Sequence, residues 1–253
     1  VRKAIPVGRA WKSFRPDQKP KKKNKWEPWP AAEPVATPTP EKTEVAPPKW
    51  TPMTLAQGPL AESMVRKEFV LLTGPAGTSK TFMAALTAMR WLSAGLVEKV
   101  YLVRPAVEAG EKIGYLPGSA EMKLKPYLMP FYEALESMGY DHKSLTKEGQ
   151  IEIVPVGFAR GRTFNGAVVL DESQNCSQSQ LAMVLGRLGK DGRMVVTGDM
   201  AQADVKGGCD LYWLAEKIGE MGDPTVKAYH LSEGFDVRHR LVPKFSAMFK
   251  RSL

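Results

Sequence analysis

From residue 69 an apolar run, Phe69–Leu72, passes into Gly74-Pro75-Ala76-Gly77-Thr78-Ser79-Lys80-Thr81 and then into a helix-length pattern, Thr81–Ser93. A buried strand, a glycine-bearing turn and a helix in that order form a phosphate cradle. Backbone N–H groups converge where side chains are absent, and the helix N-terminus adds a favourable dipole. In such a loop Lys80 reaches the β- and γ-phosphates and the Thr81 hydroxyl can hold Mg²⁺. One position departs from the G-x-x-x-x-G-K-[ST] pattern, because Ser79 stands in place of the second glycine. If that position needs φ > 0, serine costs about 1–2 kcal/mol there; if it only starts the helix, serine suits it. Taken alone, the segment also reads as an ordinary Gly/Pro turn before a helix.

The rest of the chain repeats the strand–helix alternation. Short apolar runs stand at Val100–Val103, Ile151–Val156, Ala167–Leu170, Met194–Thr197 and Val226–Tyr229. Several are Val-rich and nearly continuous, as expected of strands buried on both faces. Between them Ala120–Met138, Gln178–Leu188 and Gly208–Ile218 read as helices. The alternation predicts an α/β fold, a mostly parallel sheet flanked by helices, with right-handed crossovers.

Two of these predicted strands end in polar groups. Ala167–Leu170 runs into Asp171-Glu172, and rigid delivery of paired acids beside a phosphate loop is what Mg²⁺-dependent hydrolysis of a nucleoside triphosphate needs. Asp171 would hold the metal, mostly through water, because Mg²⁺ dehydrates reluctantly. Glu172 would orient and activate the attacking water. Met194–Thr197 continues into Gly198-Asp199-Met200-Ala201-Gln202. Gln202 is placed to bond a γ-phosphate or a water and to report hydrolysis to the chain. The same residues also serve as turn chemistry, but ligands of parallel sheets collect at this end of the strands.

Charge and composition separate the first fifty residues from the rest. Residues 1–50 carry 12 Lys and Arg against 5 Asp and Glu, and the remainder carries 24 against 22. The basic character thus belongs to a tail, and the rest of the chain is not a uniformly basic nucleic-acid binder. The tail also holds half of the 20 prolines and no periodicity, so it is expected to be disordered or extended, with the folded domain at 51–253. Trp11, Trp26, Trp29 and Trp50 are interleaved with Lys19, Lys21, Lys22, Lys23 and Lys25. Cations that track phosphates and rings that stack on bases suit single-stranded nucleic acid; a solvated leader whose tryptophans pack back is the alternative. No apolar run approaches the roughly 20 residues that span a bilayer, and the N-terminus lacks the apolar stretch of a secretory signal. Two cysteines, Cys176 and Cys209, without CxxC spacing fit buried bystander thiols in a reducing, cytoplasmic setting rather than a zinc site.

Longer stretches carry a family likeness. Arg104-Pro-Ala-Val-Glu-Ala-Gly-Glu-Lys-Ile-Gly-Tyr-Leu-Pro-Gly118, Lys125-Pro-Tyr-Leu128, Arg160-Gly-Arg-Thr-Phe-Asn165, Leu170-Asp-Glu-Ser-Gln-Asn175 and Thr197-Gly-Asp199 succeed one another along the chain. Over about residues 53–250 the sequence closely resembles the PhoH-like, phosphate-starvation-inducible P-loop ATPases, including their phage-type members. That family typically has Gly where Ser79 stands and Ala where Ser173 stands, and its Asp-Val-Val-Arg-His is compressed here to Asp236-Val-Arg238-His239. The resemblance implies a RecA-like P-loop NTPase core, ATP and Mg²⁺ as ligands, and a role in RNA metabolism. It also implies that Gln57 is the glutamine that reads adenine upstream of the loop.

Arg104, Arg160, Arg162 and Arg238 lie beside these motifs, each suited to fork-like contact with phosphate or to a structural ion pair. Arg238 is the best candidate for an arginine finger, while Arg104 and Arg162 could touch a nucleic-acid backbone. One core gives half of a RecA-like motor, so the second wall of the site is expected from another subunit, in a hexameric ring as the resemblance implies. Three functions fit: an ATPase acting on RNA or single-stranded nucleic acid, with a helicase-like action among its forms; a binding switch without turnover; and a small-molecule kinase. Asp171-Glu172 speaks against the switch, and no acceptor or lid signature supports the kinase.

Overall fold

The computed structural model describes residues 44–105, 120–200, 209–232, 235–237, 239, 241–242 and 248. Their elements, in chain order, are α1 (Gln57–Val65), β1 (Phe69–Thr73), α2 (Lys80–Ser93), β2 (Val100–Arg104), α3 (Ala120–Ser137), α4 (His142–Lys147), β3 (Ile151–Pro155), β4 (Ala167–Leu170), α5 (Gln178–Leu185), β5 (Arg193–Gly198), α6 (Leu211–Met221) and β6 (Val226–His230). The strands form one six-stranded sheet in the order β3-β2-β4-β5-β1-β6, and every pairing is parallel.

The side-chain period of two splits the strands between two cores. Val70, Leu72, Leu102, Val169 and Val195 face α1, α2 and α3. Leu71, Val103, Val168, Leu170, Met194 and Val196 face α5 and α6. Strands apolar on both faces need such helix layers on both sides. α2 is central to the first layer: Met83 through Met89, with Trp91, have no more than 1% of their surface exposed. The helix that carries Thr81 is therefore held on nearly every side.

Each expected strand is present within two residues of its predicted bounds. Two helices are additional, α1 and α4. α1 opens on Gln57-Gly58-Pro59, which reads as a turn in sequence; Pro59 is tolerated because first-turn N–H groups have no helical partner. Packing also begins earlier than position 51. Val45 and Trp50 lie against the first core, Lys49 N donates to Met138 O at 3.1 Å, and Tyr140 Oη donates to Ala46 O at 2.6 Å. The end of the proline-rich segment, residues 44–50, thus has no helix or strand but rests its apolar residues Val45 and Trp50 on the first core; residues 1–43 lie outside the described residues. Among the described residues no helix is long and apolar enough to cross a membrane.

Candidate functional site

Sheet order decides which loops meet. β5 lies between β1 and β4, with Leu72 beside Thr197 and Leu170 beside Val196. Three loops therefore leave the same end of the sheet side by side: 74–79 after β1, 171–177 after β4, and the chain beyond Gly198.

The first loop hugs its neighbours. Gly74 N donates to Gly198 O at 3.2 Å. A Cβ on Gly74 would lie 2.7 Å from Leu231 O, so no other residue fits. Thr78 Oγ1 donates to Pro75 O at 2.8 Å. The Lys80 ammonium donates to Gly74 O at 2.7 Å and Pro75 O at 2.8 Å, folding across the mouth of the loop. Ser79 has φ 64° and ψ 23°, in the left-handed region, and makes no side-chain cap to α2. The position thus needs positive φ, and serine sits there at a cost of about 1–2 kcal/mol. Its hydroxyl accepts from Gln57 Nε2 at 3.3 Å, a bond whose net contribution, about 0.5–1.5 kcal/mol, offsets much of that strain.

Ninety residues later in sequence, Asp171 is the hub. Its carboxylate is 1% exposed. Oδ1 accepts from Thr81 Oγ1 at 3.1 Å and from Thr197 Oγ1 at 2.5 Å. Oδ2 pairs with Arg104 Nη1 at 3.1 Å. Arg104, at the end of β2 and 13% exposed, also donates to Tyr127 O and stands 3.8 Å from Glu172 Oε1. It neutralises charge that burial would otherwise penalise severely. The ion pair is one of the roles expected of it.

Among the described residues Glu172 is the other left-handed non-glycine residue, at φ 55° and ψ 40°. Strain of this kind concentrates at functional sites, where a side chain must be aimed against backbone preference. The carboxylate is 36% exposed, and Oε2 accepts from Gln174 Nε2 at 2.5 Å. The other end of that buried amide, Gln174 Oε1, accepts from Asp199 N at 3.0 Å. Ser173 Oγ donates to Thr197 O at 2.7 Å, so serine ties the two loops where the family resemblance predicts alanine. A Cβ on Gly198 would come within 2.4 Å of Leu211 Cδ1 and 2.9 Å of Ser173 Oγ, so the close crossing there requires these side chains to move if the glycine is replaced.

The structure therefore brings Gly74, Pro75, Ala76, Gly77, Thr78, Ser79, Lys80, Thr81, Asp171 and Glu172 together, with Gln57 behind the loop. Gln57 is wholly buried. Gln202 and Arg238 lie outside the described residues; Val237, next to Arg238 in sequence, donates its N–H to Gly77 O at 3.3 Å. Arg160 is exposed, and Arg162 pairs with Glu152 on β3 at 2.5 Å. Both cysteines are free and buried, as the sparse spacing predicts. Burial, with the neighbouring Cys209, pushes the Cys176 thiol up to about 12. Sequence reasoning missed Thr197 and Gln174 as site residues. Each follows or ends an apolar run, but the partners Asp171 and Asp199 lie in loops that only the sheet order brings near.

The PhoH-like protein family model matches residues 49–250. The chain belongs to the PhoH-like family. A PhoH-like protein of Bacillus subtilis (strain 168) is 41% identical over 194 residues, covering 76% of this chain and 61% of its own length. Protein PhoH of Escherichia coli (strain K12) is 37% identical over 147 residues, covering 56% of this chain and 42% of its own length. The chain thus spans less than two thirds of the relatives it matches. Among solved structures, the large terminase of a thermophilic bacteriophage, in complex with ADP, aligns with a TM-score of 0.50 at 12% identity, over 78% of this chain and 50% of that one. That likeness concerns the fold, which for this PhoH-like chain is the P-loop NTPase type.

Proposed function

We propose that this PhoH-like chain is a Mg²⁺-dependent ATPase. The observation that carries the reading is the meeting of Thr81 Oγ1 and Asp171 Oδ1 at 3.1 Å, across 90 residues of sequence. A hydroxyl and a carboxylate are hard oxygen donors, the set Mg²⁺ takes, and they stand at the N-terminus of α2 beside the loop. Bound there, Mg²⁺ would neutralise charge on the β- and γ-phosphate oxygens. Loop amides of 74–79 would bind the phosphates, and Lys80, now satisfied by Gly74 O and Pro75 O, would exchange those carbonyls for phosphate oxygens. Glu172 Oε1 and Oε2, partly open to solvent and held by Gln174, would orient water for in-line attack and take its proton. A carboxylate kept in a strained conformation at this place supports turnover over a passive switch.

Partners would complete the site. Gln202 would contact the γ-phosphate, and Arg238 would act as a finger supplied in trans, with ATP at the subunit boundary of a hexameric ring. RNA or single-stranded nucleic acid is the proposed polymer, the basic, Trp-bearing residues 1–50 its tether and 51–253 the ATPase domain. Two free, buried thiols fit a cytoplasmic setting.

Phosphate release, measured with and without RNA for the native chain, Lys80→Ala and Glu172→Gln, tests the site. Both variants are expected to lose at least about 100-fold in rate; equal release by all three proteins rejects the assignment. Turnover that ignores every nucleic acid removes the polymer, and an active monomer in sedimentation removes the shared site.

A further inference from the structure

Gln57, the predicted adenine contact, has both ends of its amide occupied within the chain. Its Oε1 accepts from Met53 N at 2.7 Å and Thr54 N at 3.4 Å. Two backbone donors on one end settle which way the amide points, so the nitrogen faces Ser79 Oγ at 3.3 Å. The side chain is wholly buried, on a helix whose Leu60, Ala61 and Met64 pack in the same core as α2.

Ser79 is the residue on which the phosphate cradle turns. Its left-handed backbone reverses the chain from loop to helix, and its carbonyl accepts the first helical bond, from Met83 N at 2.9 Å. A shift there moves the amides of the helix N-terminus. Glycine would adopt this conformation unaided; serine does not, and its hydroxyl caps nothing in α2.

We propose that Gln57 is a positioning residue that acts through Ser79: its amide holds the serine hydroxyl and so keeps the loop in the left-handed turn that phosphate binding needs. The role belongs to this sequence, in which serine stands at a glycine position, and it differs from reading the adenine base. The proposal deepens the ATPase reading and rests on it only for its nucleotide readout.

The test uses the full chain and its variants Gln57→Leu, Ser79→Gly, the two combined, and Ser79→Ala. Two quantities are read: amide hydrogen exchange over residues 74–81 without nucleotide, and Kd for ADP and for GDP, each with magnesium. Gln57→Leu is expected to speed exchange and to weaken ADP and GDP alike, each about tenfold, the scale of one lost hydrogen bond. Ser79→Ala should do the same, since it keeps the strain and removes the tether. In the presence of Ser79→Gly, adding Gln57→Leu should change neither quantity by more than about twofold. An equal loss with and without Ser79→Gly overturns the proposal. So does unchanged exchange with ADP weakened and GDP not, which makes Gln57 a base contact. Should Gln57→Leu not fold, normal exchange and affinity in Ser79→Ala overturn it by themselves. If no protein binds nucleotide, the ATPase reading falls, and exchange alone decides the Gln57–Ser79 coupling.

Discussion

Ser79 and Glu172 are the non-glycine residues with positive φ among the described residues. They stand in two loops at the same end of the sheet, joined through Thr81 and Asp171. Their backbones are nearly superposable in φ and ψ, 64° and 23° against 55° and 40°, so each carries a similar strain of about 1–2 kcal/mol. The reasons differ. At Ser79 only the backbone conformation matters, and the side chain is tolerated because Gln57 holds it. At Glu172, on the ATPase reading proposed above, the side chain is the purpose, and the strained backbone aims it while Arg104 and Gln174 keep the carboxylate in place. A left-handed residue thus marks either a shape requirement or a chemical one, and glycine is the substitution that tells them apart.

The largest effect is expected where glycine removes the strain and the acid together. Glu172→Gly should cut phosphate release about 1,000-fold while ADP affinity, read by calorimetry, stays within about threefold. A smaller loss would place the base elsewhere and dissolve the contrast with Ser79. Next comes the cation that the acid loop depends on and the phosphate loop does not. Arg104→Ala strands the buried Asp171 carboxylate and should lower unfolding free energy by about 3 kcal/mol, read from urea titrations. The turn after Glu172 also rests on Cys176, whose folded-state proton is held up to about 12. The unfolded thiol releases its proton near 8.5, so the folded state binds more protons between these values. Stability contributed there is complete below about pH 8 and falls as pH rises, by about 1.4 kcal/mol per unit at most. Urea midpoints at pH 8 and 10 should show it, and Cys176→Ala should flatten the decline. The smallest effect belongs to Ser79→Gly. Relief of strain opposes the lost Gln57 bond and the greater freedom of the unfolded glycine, so thermal denaturation should report a change within about 1 kcal/mol. A drop well beyond that would mean the Ser79 side chain does more than occupy its turn.

The fold was legible because β-strands buried on both faces leave near-continuous apolar runs, and Phe69–Thr73, Ala167–Leu170 and Arg193–Gly198 are of that kind. α1 was not, since Gly58-Pro59 reads as a turn and only packing against α2 makes nine residues helical. Within the site, Gly74 to Thr81 and Asp171-Glu172 declare themselves because their chemistry is local: a loop, a lysine, a strand ending in acids. Thr197 and Gln174 do not, because each works by reaching a residue just beyond the end of a neighbouring strand.

By itself, then, the sequence determined the alternation of strands and helices, the family and the short motifs, for these depend on neighbours in the chain. Only the tertiary structure decided that β5 separates β1 from β4, that Arg104 spends its charge on Asp171 and Glu172, and that Ser79 must turn left-handed with Gln57 behind it. Those outcomes depend on which loops the sheet order sets side by side. A hydrogen bond or ion pair between residues tens of positions apart leaves no periodic trace in either partner's surroundings.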